Sequence, residues 1–175
     1  SFLSGLVRRI GSASEGRPGL QRRVLEIAIY LANASDRQSL EQLGEDAALA
    51  ELIEKHLHDG SAVTRRLAEA AAYAVLGRRS FENRLLDVLR VASDSGSAHV
   101  DFDGLVQMTE AERAQGFALL ALTSLPGKHD GALLESALRA TSSDVLGWST
   151  QQVACLAAMR WSMPSLGAAC GARGI

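Results

Sequence analysis

The sequence predicts an all-α protein, and two observations lead to that prediction. Apolar residues recur at intervals of three and four along nearly the whole chain, which is the period of an amphipathic helix. Alanine and leucine, both strong helix formers, carry the apolar pattern, because aromatic residues make up only 5% of the chain. Runs in which β-branched and polar residues alternate, as a half-buried strand requires, are absent from the sequence.

Glycine, proline and serine turns separate the predicted helices. Gly77 ends the helix with the strongest pattern, for which Ser61 or Thr64 is the predicted N-cap. In chain order the predicted segments are a short amphipathic piece over Phe2–Ile10, a helix over about Leu20–Leu31, helices over Asp36–Leu43, Ala47–Leu57, Val63–Leu76, Phe81–Ala92, Glu110–Leu125, Ala132–Ala140 and Gln151–Met163, and a frayed tail over Ser165–Ile175.

Length and composition indicate one domain over residues 1–175, because the chain is too short for two ordinary domains and a linker. The net charge of −2 does not point to nucleic acid or to a membrane surface. No apolar run has the length of a membrane span. Since the chain begins at Ser1 without a signal-peptide pattern, we expect a fragment of a longer protein or a processed chain.

The two cysteines, Cys155 and Cys170, are too few for a disulfide framework and do not form a CxxC pair. They are predicted to be reduced thiols in an intracellular, cytoplasmic protein, with a single bridge between them as the alternative.

A degenerate internal repeat is the most informative feature of the sequence. Segments that begin at Gln21, Thr64 and Thr150 each have a polar triplet followed by a long helix of small and apolar residues, and a segment from Ala111 fits less well. Aligning Tyr30, Tyr73, Leu120 and Met159 gives offsets of 43, 47 and 39 residues. Periods of this length are typical of helical-repeat proteins.

The stretch Asp36–Gly77 resembles one armadillo repeat: a short first helix, a glycine turn at Gly44, a leucine-rich second helix, a turn at Asp59-Gly60, and a long third helix with two alanines and Tyr73. HEAT repeats are also built from paired helices, and this sequence does not distinguish them from armadillo repeats. The resemblance implies a short right-handed solenoid of three to four degenerate repeats, whose third helices line a concave groove for a peptide or a partner helix.

The chain departs from the armadillo proteins of nuclear import, whose third helices carry a Trp and an Asn one turn apart. The Trp position is occupied here by Tyr30, Tyr73, Leu120 and Met159. The Asn position is occupied by Ala34, Gly77, Ser124 and Met163. Recognition of nuclear-localisation peptides is therefore not expected, and only generic partner binding carries over from the resemblance.

Arginine pairs occur at equivalent positions of the repeat and supply the predicted partner-binding residues. A ladder of such pairs along one side of a solenoid is suited to an acidic peptide or a phosphate. The predicted partner-binding residues are Arg22, Arg23, Tyr30, Arg65, Arg66, Glu69 and Tyr73. The competing interpretation is a solvated face on which Arg22 pairs with Glu26 and Arg65 with Glu69, each at a spacing of four.

Other chemistry finds little support in the sequence. The four histidines lack metal-ligand spacing and are predicted to lie on the surface. Ser93–Met108 has serines where a calcium loop needs carboxylates. No catalytic, metal or cofactor site is therefore predicted.

The predicted function is a non-enzymatic scaffold that binds a protein or peptide partner and not nucleic acid, with homodimerisation as a further possibility. Two alternatives stay open: a closed helical bundle acting as a regulatory or light-chain-like subunit, and a HEAT-type nucleic-acid-processing domain. In a closed bundle, the helix pairs separated by the repeat offsets of 43, 47 and 39 residues would not superpose on one another. A nucleic-acid-processing domain would need a cleft in which ionisable groups converge.

Overall fold

A computed structural model describes residues 13–94 and 110–125 continuously, together with Gly5, Arg9, Ile10, Asp144–Val145, Trp148–Ser149, Cys155, Met159, Cys170 and Gly171. The predictions over Ala132–Ala140, and most of those over Phe2–Ile10, Ser93–Met108, Gln151–Met163 and the tail, lie outside these residues.

Helices dominate the described residues, which confirms the all-α class. They are α1 (Pro18–Ala34), α2 (Arg37–Gly44), α3 (Ala47–Leu57), α4 (Ala62–Ala74), α5 (Glu82–Asp94) and α6 (Glu110–Ser124), with a 3₁₀ turn over Arg79–Phe81. Two strands of two residues each, β1 (Asp144–Val145) and β2 (Trp148–Ser149), pair antiparallel and were not predicted. None of the described helices has both the length and the apolar character to cross a bilayer.

Side-chain caps begin three of these helices where the sequence predicts a start. Asp36 accepts the Ser39 backbone N–H at 2.8 Å at the start of α2. Asp46 accepts two backbone N–H groups, each at 3.1 Å, at the start of α3. Ser61, and not Thr64, caps α4 by accepting the Thr64 N–H at 3.4 Å. These contacts satisfy backbone donors that the first turn of a helix leaves unpaired.

The helix α4 lies at the centre of the fold and packs against α1, α3, α5 and α6. Its buried residues are mostly small, which lets neighbouring backbones approach closely; they are Thr64, Leu67, Ala68, Ala70, Ala71, Ala72, Tyr73 and Ala74. The helices that contact it contribute large side chains that are completely buried, among them Leu25, Ile29, Ile53, Leu85 and Phe117. The alanine-rich pattern that predicts a strong helix therefore also explains its central position.

The three long helices α1, α4 and α6 are in mutual contact. Asn33 of α1 donates a hydrogen bond from Nδ2 to the Leu120 carbonyl and another, at 3.2 Å, to Thr123 Oγ1, both on α6. In a solenoid each repeat contacts its neighbours only, so α4 would separate α1 from α6. The stacked arrangement is therefore not confirmed by the contacts of the described helices.

The four aligned positions of the predicted repeat have different surroundings. Tyr73 and Leu120 are fully buried, Tyr30 is half-buried, and Met159 is 61% exposed. Equivalent positions in stacked repeats are expected to share one environment. The alignment does not describe a common structural role for these residues.

Cys155 and Cys170 are joined by a disulfide, with their Cα atoms 5.7 Å apart, and both lie in the buried core. The prediction of reduced thiols is therefore wrong, and the bridge given as the alternative is the one observed. The expected cytoplasmic location rested on reduced thiols, so the bridge removes its support, because disulfides persist mainly in oxidising compartments.

Candidate partner-binding surface

The junction between α4 and α5 holds a group of partly exposed arginines on a rigid turn. Gly77 has φ +66°, a left-handed conformation that glycine adopts without strain just beyond a helix end. The Arg78 backbone N–H then donates to the Ala72 carbonyl at 3.1 Å. This geometry ends α4 sharply and directs Arg78 and Arg79 into the exposed link to α5.

Arg79 is held against Tyr73 and Glu82. Its guanidinium carbon lies 5.8 Å from the centre of the Tyr73 ring, and its Nη1 donates to the Tyr73 hydroxyl at 3.4 Å. The hydroxyl in turn donates to Glu82 Oε2 at 3.5 Å, and Arg79 lies 3.8 Å from the same oxygen. Burial, and next the Glu82 carboxylate, raise the pKa of Tyr73 to about 12, so the phenol stays protonated and can donate.

Arg84 of α5 is also held by an aromatic ring and a carboxylate, and the carboxylate lies one turn along α4 from Tyr73. Its Nη1 lies 2.5 Å from Glu69 Oε1, and its guanidinium carbon lies 5.8 Å from the centre of the Phe81 ring. Glu69 and Tyr73 are four residues apart and share one face of α4. Arg79 and Arg84 are therefore anchored to adjacent turns of the same helix face.

These side chains remain accessible despite their anchors. The Arg79 and Arg84 side chains are 47% and 66% exposed, and Arg78, which pairs with Glu54 of α3, is 44% exposed. We call the group of Arg78, Arg79, Phe81 and Arg84 the arginine surface. Its guanidinium groups combine restricted motion with exposure, and arginine and aromatic residues are enriched in protein interfaces.

The predicted partner-binding residues lie on two helices that contact each other. Arg22, Arg23 and Tyr30 lie on α1, and Arg65, Arg66, Glu69 and Tyr73 lie on α4. Tyr73 is completely buried, so it does not line an open groove. Glu69 and Tyr73 do lie together, but the start of α5 and its preceding turn contact both of them.

Of the two ion pairs predicted at a spacing of four, Arg65 with Glu69 is wrong, whereas the charge of Arg22 does act on Glu26. Glu26 pairs with Arg23 at 2.7 Å, a spacing of three, and Glu69 pairs with Arg84. Arg65 instead donates to the Asp59 carbonyl and, at 3.0 Å, to the Gly60 carbonyl. A nearby turn offers these carbonyls in fixed positions, which explains why Arg65 caps it.

Glu26 is nearly fully buried, at 2% exposure. Burial raises its pKa to about 7, although Arg23 and Arg22 oppose that shift. At the equivalent position on α4, the Glu69 side chain is 12% exposed and pairs with Arg84 of α5. The two arginine pairs that the repeat treats as equivalent therefore serve different local structures.

His56 corrects the prediction of surface histidines, because it is only 4% exposed. Its Nδ1 lies 3.0 Å from Asp59 Oδ2, while its Nε2 is buried and has no hydrogen-bond partner in the described part of the chain. The Ser61 backbone N–H, and next His56, lower the pKa of Asp59. His58 is exposed, so the two histidines do point to different faces as predicted, and His99 and His129 lie outside the described residues.

No metal-ligating group of three or more His, Cys, Asp or Glu residues occurs among the residues that the structure describes. The residues predicted from the sequence do not include Arg78, Arg79, Phe81, Glu82 or Arg84. The signal was present in the sequence: arginines and an aromatic residue follow directly after Gly77, at a helix end. The turn between α4 and α5 brings these arginines and Phe81 next to Glu69 and Tyr73. The sequence pattern does not specify the path of that turn.

Comparison with known families, curated proteins and solved structures found no match to this chain.

Proposed function

We propose that this chain is a non-enzymatic protein-interaction module that binds a protein partner through the arginine surface. The observation that carries the proposal is the pair Arg79 and Arg84, each held by an aromatic ring and a carboxylate while about half or more of its side chain is exposed. Restricting such side chains before binding reduces the entropy that a partner must overcome. Arginine is also among the residues that dominate binding energy in interfaces.

The contact between α1 and α6 favours a closed helical bundle over a solenoid as the form of this module. In a closed bundle the interior is occupied by the protein's own side chains, so a partner binds an outer face. The arginine surface lies on such a face, at the end of α4 and the start of α5. This form corresponds to the regulatory-subunit alternative and does not need the concave groove of an armadillo-like scaffold.

The test compares three versions of the chain in affinity purification from an extract of the cells that make it. These are the parent, the double variant Arg79→Glu/Arg84→Glu, and the control Arg9→Glu/Arg17→Glu, which changes the net charge equally at two exposed positions. Retained helical circular dichroism shows that each variant is folded. A protein enriched by the parent is then purified, and its affinity for each version is measured by calorimetry.

We expect the arginine-surface variant to bind that partner at least about tenfold more weakly, because two interfacial arginines are lost, and the control to bind normally. Equal binding by all three versions would place the partner elsewhere and refute the assigned surface. If no protein is enriched by the parent over the bare resin, the binding function itself is refuted.

A further inference from the structure

The C-terminal half of α6 is buried on every side. Its eight consecutive residues from Phe117 to Ser124 are each at most 1% exposed. Eight residues make more than two helical turns, so the side chains that point in all directions around the helix axis are covered. A helix with one apolar stripe is oriented by the burial of that stripe, whereas a helix buried all round has no such stripe. Apolar burial alone therefore does not decide which side of α6 faces α1.

The polar side chains at the end of α6 donate hydrogen bonds within their own helix. The Thr123 hydroxyl lies 3.0 Å from the carbonyl oxygens of Leu119 and Leu120, and the Ser124 hydroxyl donates to the Ala121 carbonyl at 2.6 Å. Because these donors are already satisfied inside α6, they do not by themselves select a neighbouring helix.

Asn33 of α1 is the buried polar group that distinguishes one side of α6 from the others. It is 4% exposed, and its Nδ2 donates to the Leu120 carbonyl and, at 3.2 Å, to Thr123 Oγ1. Leu120 and Thr123 are three residues apart and share one face of α6. Rotating α6, or sliding it by one turn of about 5.4 Å, moves both acceptors away and leaves a buried donor unpaired.

The Asn33 amide is satisfied on one side only. Its Oδ1 is buried and has no hydrogen-bond partner within the ranges that the structure describes. A buried amide that is half satisfied contributes less to stability than an apolar side chain of similar volume. Stability therefore does not explain an asparagine at this position, whereas the direction of its two hydrogen bonds does offer an explanation.

We infer that Asn33 is a conformational device that selects one rotation and one register of α6 in the core. Without its hydrogen bonds, other arrangements of α6 that bury the same apolar residues become populated. A buried polar residue that fixes register at some cost in stability is an established use of such groups in helical assemblies. The inference goes beyond the proposed function and does not depend on the arginine surface.

The test uses Asn33→Leu, which removes the two hydrogen bonds and leaves the Thr123 hydroxyl with its acceptors in α6. Asn83→Leu, at an exposed position of α5, is the matched control. Two-dimensional ¹H–¹⁵N NMR spectra of the parent and of the control are expected to show one signal for each assigned α6 amide. In Asn33→Leu we expect these signals to split or broaden, with a minor arrangement populated at least about tenfold more than in the parent.

A single set of sharp α6 signals in Asn33→Leu, with unchanged nuclear Overhauser contacts between α1 and α6, would overturn the inference. An Asn33→Leu chain that circular dichroism shows to be unfolded would also overturn it, because a residue that only selects among packed states is not required for folding. Splitting in the control would do the same, since the effect would not be specific to position 33.

Hydrogen exchange in the parent adds a measurement that needs no variant. The side-chain amide protons of Asn33 are expected to exchange at least about tenfold more slowly than those of exposed Asn83, because they are buried and hydrogen-bonded. Equal exchange rates for the two side chains would show that Asn33 does not bind α6, and the inference would fail.

Discussion

Replacing Gly44 with alanine tests the close packing of α2 against the end of α4. Gly44 is the last residue of α2, and a Cβ atom added there would lie 2.8 Å from the Val75 carbonyl oxygen. That distance is shorter than any ordinary contact, and the oxygen belongs to the backbone at the C-cap of α4. The substitution therefore forces one helix end to move relative to the other.

The expected cost follows from two opposing effects. Overpacking costs about 1–3 kcal/mol, whereas alanine gains at most about 1 kcal/mol over glycine within a helix, and less at its end. The net loss in the free energy of unfolding is about 1–2 kcal/mol. For a domain of this size it lowers the melting temperature by about 2–8 °C.

Thermal and urea unfolding, followed by circular dichroism, measure this change directly. Gly60→Ala is the matched control, since Gly60 has no heavy atom within 4 Å of an added Cβ and does not have a positive φ. There we expect no loss, and a gain of up to about 1 kcal/mol from the restricted unfolded chain. Stabilisation by Gly44→Ala, as helix propensity alone predicts, would refute the contact between Gly44 and Val75.

Two further predictions concern Glu26 and the disulfide. Burial raises the folded-state pKa of Glu26 to about 7 from 4.5, so on raising the pH the unfolded chain releases this proton before the folded chain does. The contribution of Glu26 to the free energy of unfolding is therefore expected to fall by about 1–3 kcal/mol as pH rises from about 4.5 to 7. Above that range the contribution stays lost. Glu26→Gln should flatten the dependence of urea midpoint on pH over that range, and an unchanged curve would mean that Glu26 is not buried in this way. For the disulfide, intact mass measurement after thiol labelling should find no free thiol before reduction and two after it, and labelling of the unreduced chain would contradict the bridge. The variant Cys155→Ser/Cys170→Ser should lower the free energy of unfolding by about 3 kcal/mol, because 15 residues separate the two cysteines.

The sequence predicted the described helices well because their signals are local. Asp36, Asp46 and Ser61 each cap a helix through a backbone N–H within three residues, and Gly77 supplies the left-handed turn after α4. Such contacts depend on neighbouring residues only, so the order of residues is enough to place them.

The candidate surface was predicted only in part because its contacts join separate elements. Glu69 was assigned a partner at a spacing of four, yet it pairs with Arg84, fifteen residues away. Tyr73 was assigned to an open groove, yet it lies beneath Arg79 and beside Glu82. Both outcomes depend on how α5 returns over α4, which helical periodicity does not encode.

Propensity, capping and period are properties of short segments, so the amino-acid sequence is enough to predict the helical class, the ends of most described helices and the alanine-rich character of α4. Three other features follow from tertiary contacts: the contact of α1 with α6 through Asn33 and Thr123, the bridge between the cysteines, and the position of the arginines at the α4–α5 junction. A helix with a broad buried face can pack in several ways with similar apolar burial. The choice among them is made by long-range contacts between side chains, and these form only when the whole core is assembled.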